Sequence, residues 1–272
     1  MSERKTIGSW VRELPKRGVY TFTLEDVIAE FPGFTKDYIH LELFRQAEKG
    51  EVKSVWRGFY AVVLDDYGLR GDPPPTEFID QLMRYLDRHY YVALLSAASF
   101  HGSSHQAPQT FMVMVEGSSM RMSNKSGSRM KFYTRKKIPK NYLDSVMSKS
   151  GYITFSSIEL TALDLIVRMK GVGGLNRAAE VIDGLVEEDL RFNKVEADFF
   201  ELSPAVSIQR LGYILDKPLG YTDIADELYE GAMKAGVRFK HTLLYPIAGI
   251  SAAGYSIDSK WKVAANKEVE LD

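Results

Sequence analysis

A proline and glycine segment near residue 70 limits what this chain can fold into more than any other feature. Between Asp65 and Glu77 the sequence reads DDYGLRGDPPPTE, with two glycines and three consecutive prolines. Proline lacks an amide donor and favours polyproline II, so neither a long helix nor a central strand can continue through this segment. The sequence therefore predicts two domains, residues 1–68 and 77–272, joined by a proline-rich linker at 69–76.

Before the linker, the spacing of apolar residues predicts three short helices and a hairpin. Apolar side chains recur at intervals of three and four residues in each helical stretch, and Thr23 and Thr35 are placed to cap the second and third helices. Strand-like runs on both sides of Arg57 and Gly58 predict a β-hairpin. Three short helices followed by a hairpin are typical of a winged helix-turn-helix, a layout that binds DNA.

The third helix is the predicted recognition helix. A helical wheel places Ile39, Leu43, Phe44 and Ala47 on the side that faces the core, with His40 packed or half-buried among them. The residues expected to contact DNA, four on this helix and two on the hairpin that forms the wing, are Lys36, Tyr38, Arg45, Lys49, Lys53 and Arg57.

The charge of this N-terminal module is nearly balanced. Up to Leu64 it has ten basic residues and nine acidic ones. A single copy should therefore make few favourable phosphate contacts. This predicts that two copies occupy paired half-sites of an inverted repeat.

After the linker, strands come first and helices follow, which predicts an α+β domain. TFMVMVEG and RMKFYTR have the pattern of strands, whereas YYVALL fits either a strand or the start of a helix. Ser156 to Glu159 reads SSIE, a capping box that opens a run of four helices. The tail could hold one last strand. The predicted fold class is α+β, with a winged helix-turn-helix followed by a larger mixed α/β domain.

Basic residues are concentrated in a strip without acids. Between Gly117 and Leu143 there is no Asp or Glu, and the basic residues are Arg121, Lys125, Arg129, Lys131, Arg135, Lys136, Lys137 and Lys140. Eight like charges repel one another on a folded surface unless an anionic partner offsets them. DNA phosphates, an RNA or nucleotide, or an acidic protein face are the candidate partners, and a solvated strand and loop is the alternative.

Motifs of enzymes are weak in this chain. The absence of cysteine excludes thiolate zinc sites and a cysteine nucleophile. His101 and His105 are separated by Gly-Ser-Ser, which disfavours a shared helical face for a metal. We therefore expect no catalytic residue, no metal and no cofactor. A nuclease or phosphotransferase site near Asp164 and the basic strip remains an alternative, although an ion pair with Arg168 is the ordinary role of that carboxylate.

Targeting and membrane signals are also weak. The N-terminus has no apolar signal region, and no stretch approaches the roughly 18 apolar residues that a membrane helix needs. We therefore expect a soluble cytoplasmic protein without a membrane partner.

Several segments after the linker resemble a known family. SAASFHG, APQTFMVMV, ITFSSIELTALDLI, QRLGYILD and SKWKVAANKEVELD follow, in that order, the C-terminal domain of AbiEi-type antitoxins. These proteins of abortive-infection systems also carry an N-terminal winged helix. The resemblance implies an antitoxin encoded beside a nucleotidyltransferase-like toxin. Such antitoxins repress their own operon by binding inverted repeats, and they counter the toxin through the C-terminal domain, as usually described without a stable complex.

The matched positions mark the fold of this family more than a site. They are Ser96, Ala97, His101 and Gly102, then Glu159, Leu163 and Asp164, and finally Arg210, Leu211, Gly212 and Tyr213. The sequence reads HGSSH where the commoner family form is HGL. A ligand-responsive repressor without a toxin is a further alternative.

Overall fold

The computed structural model describes residues 5–70, 72–103, 108–120 and 129–271. They have mixed α and β structure, as the predicted fold class requires. The chain divides into two compact units. The first unit contains Met1–Val92, Gln109–Ile138 and Asp144–Phe155, and the second contains Ala93–Pro108, Pro139–Leu143 and Ser156–Asp272.

The N-terminal module of the first unit contains the predicted helices and hairpin. Its helices are α1 (Ile7–Glu13), α2 (Leu24–Glu30) and α3 (Lys36–Glu48). Its antiparallel sheet, in the order β1-β3-β2, consists of β1 (Thr21–Thr23), β2 (Val52–Trp56) and β3 (Phe59–Val62). The sequence did not predict β1, because three residues are too few to show a strand periodicity.

Local capping and aromatic packing hold this module together. The Thr23 hydroxyl accepts a hydrogen bond from the Asp26 amide at 3.1 Å, and the Asp26 carboxylate accepts one from the Thr23 amide at 2.7 Å. This reciprocal cap satisfies amide groups that the first turn of α2 leaves unpaired. In the core, the Trp10 ring lies edge-on against Phe22, with 5.2 Å between the ring centroids. The predicted caps of α2 and α3 are both confirmed, because the hydroxyls of Thr23 and Thr35 each accept a hydrogen bond from the amide three residues later.

The buried side of α3 differs from the predicted one. Ile39 and Leu43 are buried as predicted, but the third buried position is Gln46. His40, Phe44 and Ala47 are exposed, so their assignment to the core was wrong. The reason is a close approach of α1 to α3. Gly8 leaves room for the Gln46 side chain, because a Cβ atom at residue 8 would lie only 3.0 Å from the Gln46 amide nitrogen and oxygen.

The proline segment contains two short 3-10 helices. Residues Asp65–Arg70 and Pro75–Glu77 form 3-10 helices. The Lys149 ammonium donates to the Asp66 carboxylate at 2.6 Å and holds the pKa of that carboxyl below its usual value. The first unit continues through this segment. That residues 69–76 link two separate domains therefore stays a prediction.

A five-stranded sheet follows α4 (Ile79–Tyr85) and lies almost entirely in the first unit. Its order is β6-β5-β4-β8-β7, formed by β4 (Tyr90–Val92), β5 (Phe111–Glu116), β6 (Met130–Arg135), β7 (Leu143–Ser148) and β8 (Gly151–Ser156). Strand β4 pairs antiparallel with β5 and parallel with β8, whereas β5 and β6 are parallel.

The strands predicted from TFMVMVEG and RMKFYTR are confirmed. YYVALL contains both β4 and the start of a helix. The hairpin of β7 and β8 was not predicted, because LDSVMS is largely exposed and lacks an apolar pattern.

The second unit is mainly helical. Its elements are α5 (Leu94–Phe100), α6 (Ile158–Val167), α7 (Leu175–Glu187), α8 (Ala205–Asp216), α9 (Thr222–Lys234), β9 (Thr242–Leu243) and β10 (Val263–Ala264). The four predicted helices and the last strand are confirmed. The cap of α6 is Ser157 and not Ser156, since the Ser157 hydroxyl accepts from the Leu160 amide and donates to the Glu159 carboxylate at 2.7 Å.

The core of the second unit closes around Trp261. This side chain is fully buried, and its indole Nε1 donates to the Asp216 carboxylate at 3.0 Å. The ring lies so close to Gly212 that any larger residue there would overlap it. The glycine in QRLGYILD is therefore a packing requirement, which agrees with its interpretation as a mark of the fold.

Candidate nucleic-acid interface

The start of α3 presents two predicted DNA-contacting residues to solvent. The Thr35 hydroxyl accepts from the Tyr38 amide at 3.3 Å and begins the helix at Lys36. Lys36 is exposed in the first turn, and Tyr38 is exposed with its ring 4.8 Å edge-on from Phe34. Positive and hydrogen-bonding groups at this end of a recognition helix are placed to contact bases or phosphates.

Farther along α3, the predicted contacts are unequal. The Arg45 guanidinium is paired with Glu42, with 2.5 Å between Nη1 and Oε1. Lys49 forms the C-terminal cap of the helix and is exposed. A DNA phosphate would have to compete with the Glu42 carboxylate for Arg45, but Lys49 carries no such ion pair among the described residues.

The predicted wing, which is the hairpin of β2 and β3, shows the same contrast. Arg57 is exposed in the turn between β2 and β3, and its carbonyl accepts a hydrogen bond from the Tyr85 hydroxyl at 3.2 Å. This bond fixes the backbone of the wing tip to α4. Lys53 is half-buried, and its ammonium lies 2.6 Å from the Asp72 carboxylate. Arg57 is thus the wing residue that the structure leaves available for a phosphate.

The sequence missed two exposed residues of α3. Leu41 and Phe44 are 46% and 62% exposed and lie on the side of the helix away from Ile39, Leu43 and Gln46. Phe44 was assigned to the core because it is apolar. On a regular helical wheel, both residues lie on the opposite side from Ile39 and Leu43, so the positions of these two core residues were the signal that could have found them.

The basic strip is only partly within the described residues. Arg121 and Lys125 lie outside them. Arg129 and Lys131 are exposed, and the Lys131 ammonium lies 5.0 Å from the centroid of the Tyr133 ring. This cation–π contact supplies some of the stabilisation that a carboxylate would otherwise give.

The end of β6 has one half-buried cation, followed by two exposed ones. Arg135 is half-buried, with its guanidinium carbon 5.9 Å from the centroid of the Tyr91 ring. Lys136 and Lys137 follow the strand and are both exposed. Lys140 is exposed too, but it belongs to the second unit. Within the first unit, Lys136 and Lys137 are therefore the pair best placed to contact an anionic partner.

Two of the residues weighed as catalytic or metal-binding candidates, Asp164 and His101, have structural surroundings. Asp164 is fully buried within α6, away from solvent. The His101 ring hydrogen-bonds through Nε2 to the carbonyl of Ser156 at 2.8 Å. His105 lies outside the described residues. In the part of the chain that is described, no three His, Cys, Asp or Glu side chains gather as they would around a metal ion. Nor does any described helix have the length and apolar character to cross a membrane.

Comparisons with known proteins support the resemblance inferred from the sequence. Residues 91–217 match the family model of the AbiEi antitoxin C-terminal domain, so the predicted resemblance is confirmed over this segment. The crystal structure of the RV2827C protein from Mycobacterium tuberculosis has a similar fold, with a TM-score of 0.67 and 14% sequence identity. That alignment covers 96% of this chain and 92% of the other. No curated protein matches the chain.

Proposed function

We propose that this chain, which carries an AbiEi antitoxin C-terminal domain at residues 91–217, is the antitoxin of a toxin–antitoxin pair and represses its own operon. The match to that domain is the observation that carries the proposal. It is joined in one chain to three helices and a hairpin in the order of a winged helix-turn-helix. A DNA-binding module together with an antitoxin domain fits a protein that both silences the operon and counters its toxin. The family as described acts in abortive infection, which makes phage defence the proposed setting.

The DNA-binding part of the proposal is supported by exposed cations on α3 and the wing. Lys36, Lys49 and Arg57 are exposed. Each phosphate that such a residue neutralises releases counterions, so affinity should fall as salt rises. We expect specific binding to the promoter of the operon, through inverted half-sites spaced by whole turns of DNA, because one nearly neutral module makes few phosphate contacts.

The toxin-directed part of the proposal concerns the basic strip. Lys136 and Lys137 project from the end of β6 in the same domain that the family model matches. We propose that they contact an anionic group in the course of neutralisation. The toxin would be a nucleotidyltransferase-like protein, so its nucleotide, its RNA or an acidic face of the toxin itself could supply that group. A direct stable complex is not required.

Two measurements test these parts separately. Growth is measured with the neighbouring toxin gene induced, with and without this protein, and footprinting is done on the upstream DNA. Rescue of growth together with a symmetric footprint is expected. Footprinting without rescue would instead favour a ligand-responsive repressor, and rescue without any footprint would remove the repressor role.

A further inference from the structure

A four-residue stripe runs along the exposed side of α3. Asp37, Leu41, Phe44 and Glu48 follow spacings of four, three and four, which places them on one face of a helix. All four are exposed, and Ile39, Leu43 and Gln46 are buried on the opposite side. The middle of the exposed face is therefore apolar and its ends are acidic.

The stripe itself contains no cation that could bind a phosphate. Carboxylates at Asp37 and Glu48 repel phosphates, and the cation closest in sequence to the middle of the stripe, Arg45, is already paired with Glu42. The exposed cations Lys36 and Lys49 stand at the two ends of α3, where they can reach the DNA backbone beside the groove. The arrangement assigns backbone contacts to the helix ends and leaves the middle for something apolar.

In the major groove, the apolar group that base edges present is the C5 methyl of thymine. The exposed side of the second helix of a helix-turn-helix is the one that enters this groove. Given the proposed function, on which this inference rests, we infer that Leu41 and Phe44 read thymine methyl groups in the operator half-site. These two residues would then determine sequence specificity through apolar contacts with bases. None of the six predicted DNA contacts supplies specificity in this way.

A protein partner fits this face less well. Stable protein interfaces bury roughly 600 Å² or more on each partner, around an apolar centre that is depleted of charge. Leu41 and Phe44 are only two side chains, and carboxylates lie on the same face one turn away in each direction. The small apolar area is enough for one or two methyl groups.

The test uses DNA in which single thymines of the footprinted half-site are replaced by deoxyuridine, which lacks only the methyl group. Binding is measured for the unchanged protein and for Leu41→Ala and Phe44→Ala, which alter exposed side chains and should not disturb folding. Each contacted methyl should account for about a four-fold loss of affinity in the unchanged protein. In the variant that lacks the matching side chain, the same uridine should cost nothing further, which is the signature of direct coupling.

Met147→Ala is the matched control, because Met147 is an apolar residue of β7 that is 70% exposed. It should keep the full sensitivity to uridine. Specific operator binding that tolerates uridine at every thymine would overturn the inference and leave the proposed repressor role intact. Absence of any operator binding would overturn both. Alanine variants that keep uridine sensitivity but change the sedimentation mass would make this face a protein interface, which also overturns the inference.

Discussion

The two candidate surfaces differ in how their positive charges are stabilised. On α3 and the predicted wing, two of the five candidate cations are held by carboxylates, Arg45 by Glu42 and Lys53 by Asp72. On the basic strip, which has no acid in its sequence, Lys131 lies over an aromatic ring instead. Paired cations cost little to hold on a surface but bind a phosphate only after losing a partner. Cations over rings keep their charge available.

This difference suggests two kinds of recognition. A surface of paired charges and exposed apolar residues gains specificity from shape and base contacts, with modest electrostatic attraction. A surface of cations without acids attracts any dense anion and discriminates little. The first kind is what we expect for the proposed operator, and the second is what we expect for the anionic part of the proposed toxin or its substrate. Variants that change one surface should therefore leave the other function intact.

The largest expected effect is on toxin neutralisation. Lys136→Ser combined with Lys137→Ser should abolish growth rescue under toxin expression, because the exposed charges at the end of β6 are lost. Arg135 is left unchanged, since it is half-buried against Tyr91 and its replacement would disturb packing. Promoter repression should stay normal.

The control for this double variant is Lys234→Ser with Lys240→Ser, two exposed lysines elsewhere in the chain. It removes the same charge and should rescue growth fully. Protein level is measured in every strain. Full rescue by the Lys136 and Lys137 variant would show that the strip is a solvated surface with no role in neutralisation.

The next effect is on DNA affinity. Lys36→Ala and Arg57→Ala should each weaken binding to all sequences alike, because both cations are placed to contact the DNA backbone. Each should also reduce the salt slope by about one, as expected for a lost phosphate contact. Mobility shifts at several salt concentrations measure both quantities. If neither variant changes affinity, α3 and the wing are not the DNA-binding surface.

The smallest effect has the opposite sign. Glu42→Gln removes a carboxylate and releases Arg45 from its ion pair, so operator affinity should rise by about 0.3 to 1 kcal/mol. Arg45→Ala should weaken binding less than Lys36→Ala does. A Glu42→Gln variant that binds more weakly would mean that the pair positions Arg45 for its DNA contact, and the contrast between paired and available cations would need revision.

The sequence by itself determined the local structure of the N-terminal module. Threonines before apolar periodic runs predicted where α2 and α3 begin, because a side-chain cap acts on amides only three residues away. The strip without acids and the ordered segments that resemble AbiEi antitoxins could also be identified from the sequence alone. Over residues 91–217 that resemblance is confirmed by the family model.

The tertiary structure alone decided that Gln46 completes the buried side of α3, and which cations are available. Gln46 is buried because Gly8 of α1 lets it approach, and Lys53 is paired because the proline segment brings Asp72 beside the wing. Gly212 likewise has its role from Trp261, 49 positions later in the chain. Periodicity and capping act between near neighbours in sequence, whereas burial and ion pairing depend on residues that only folding brings together.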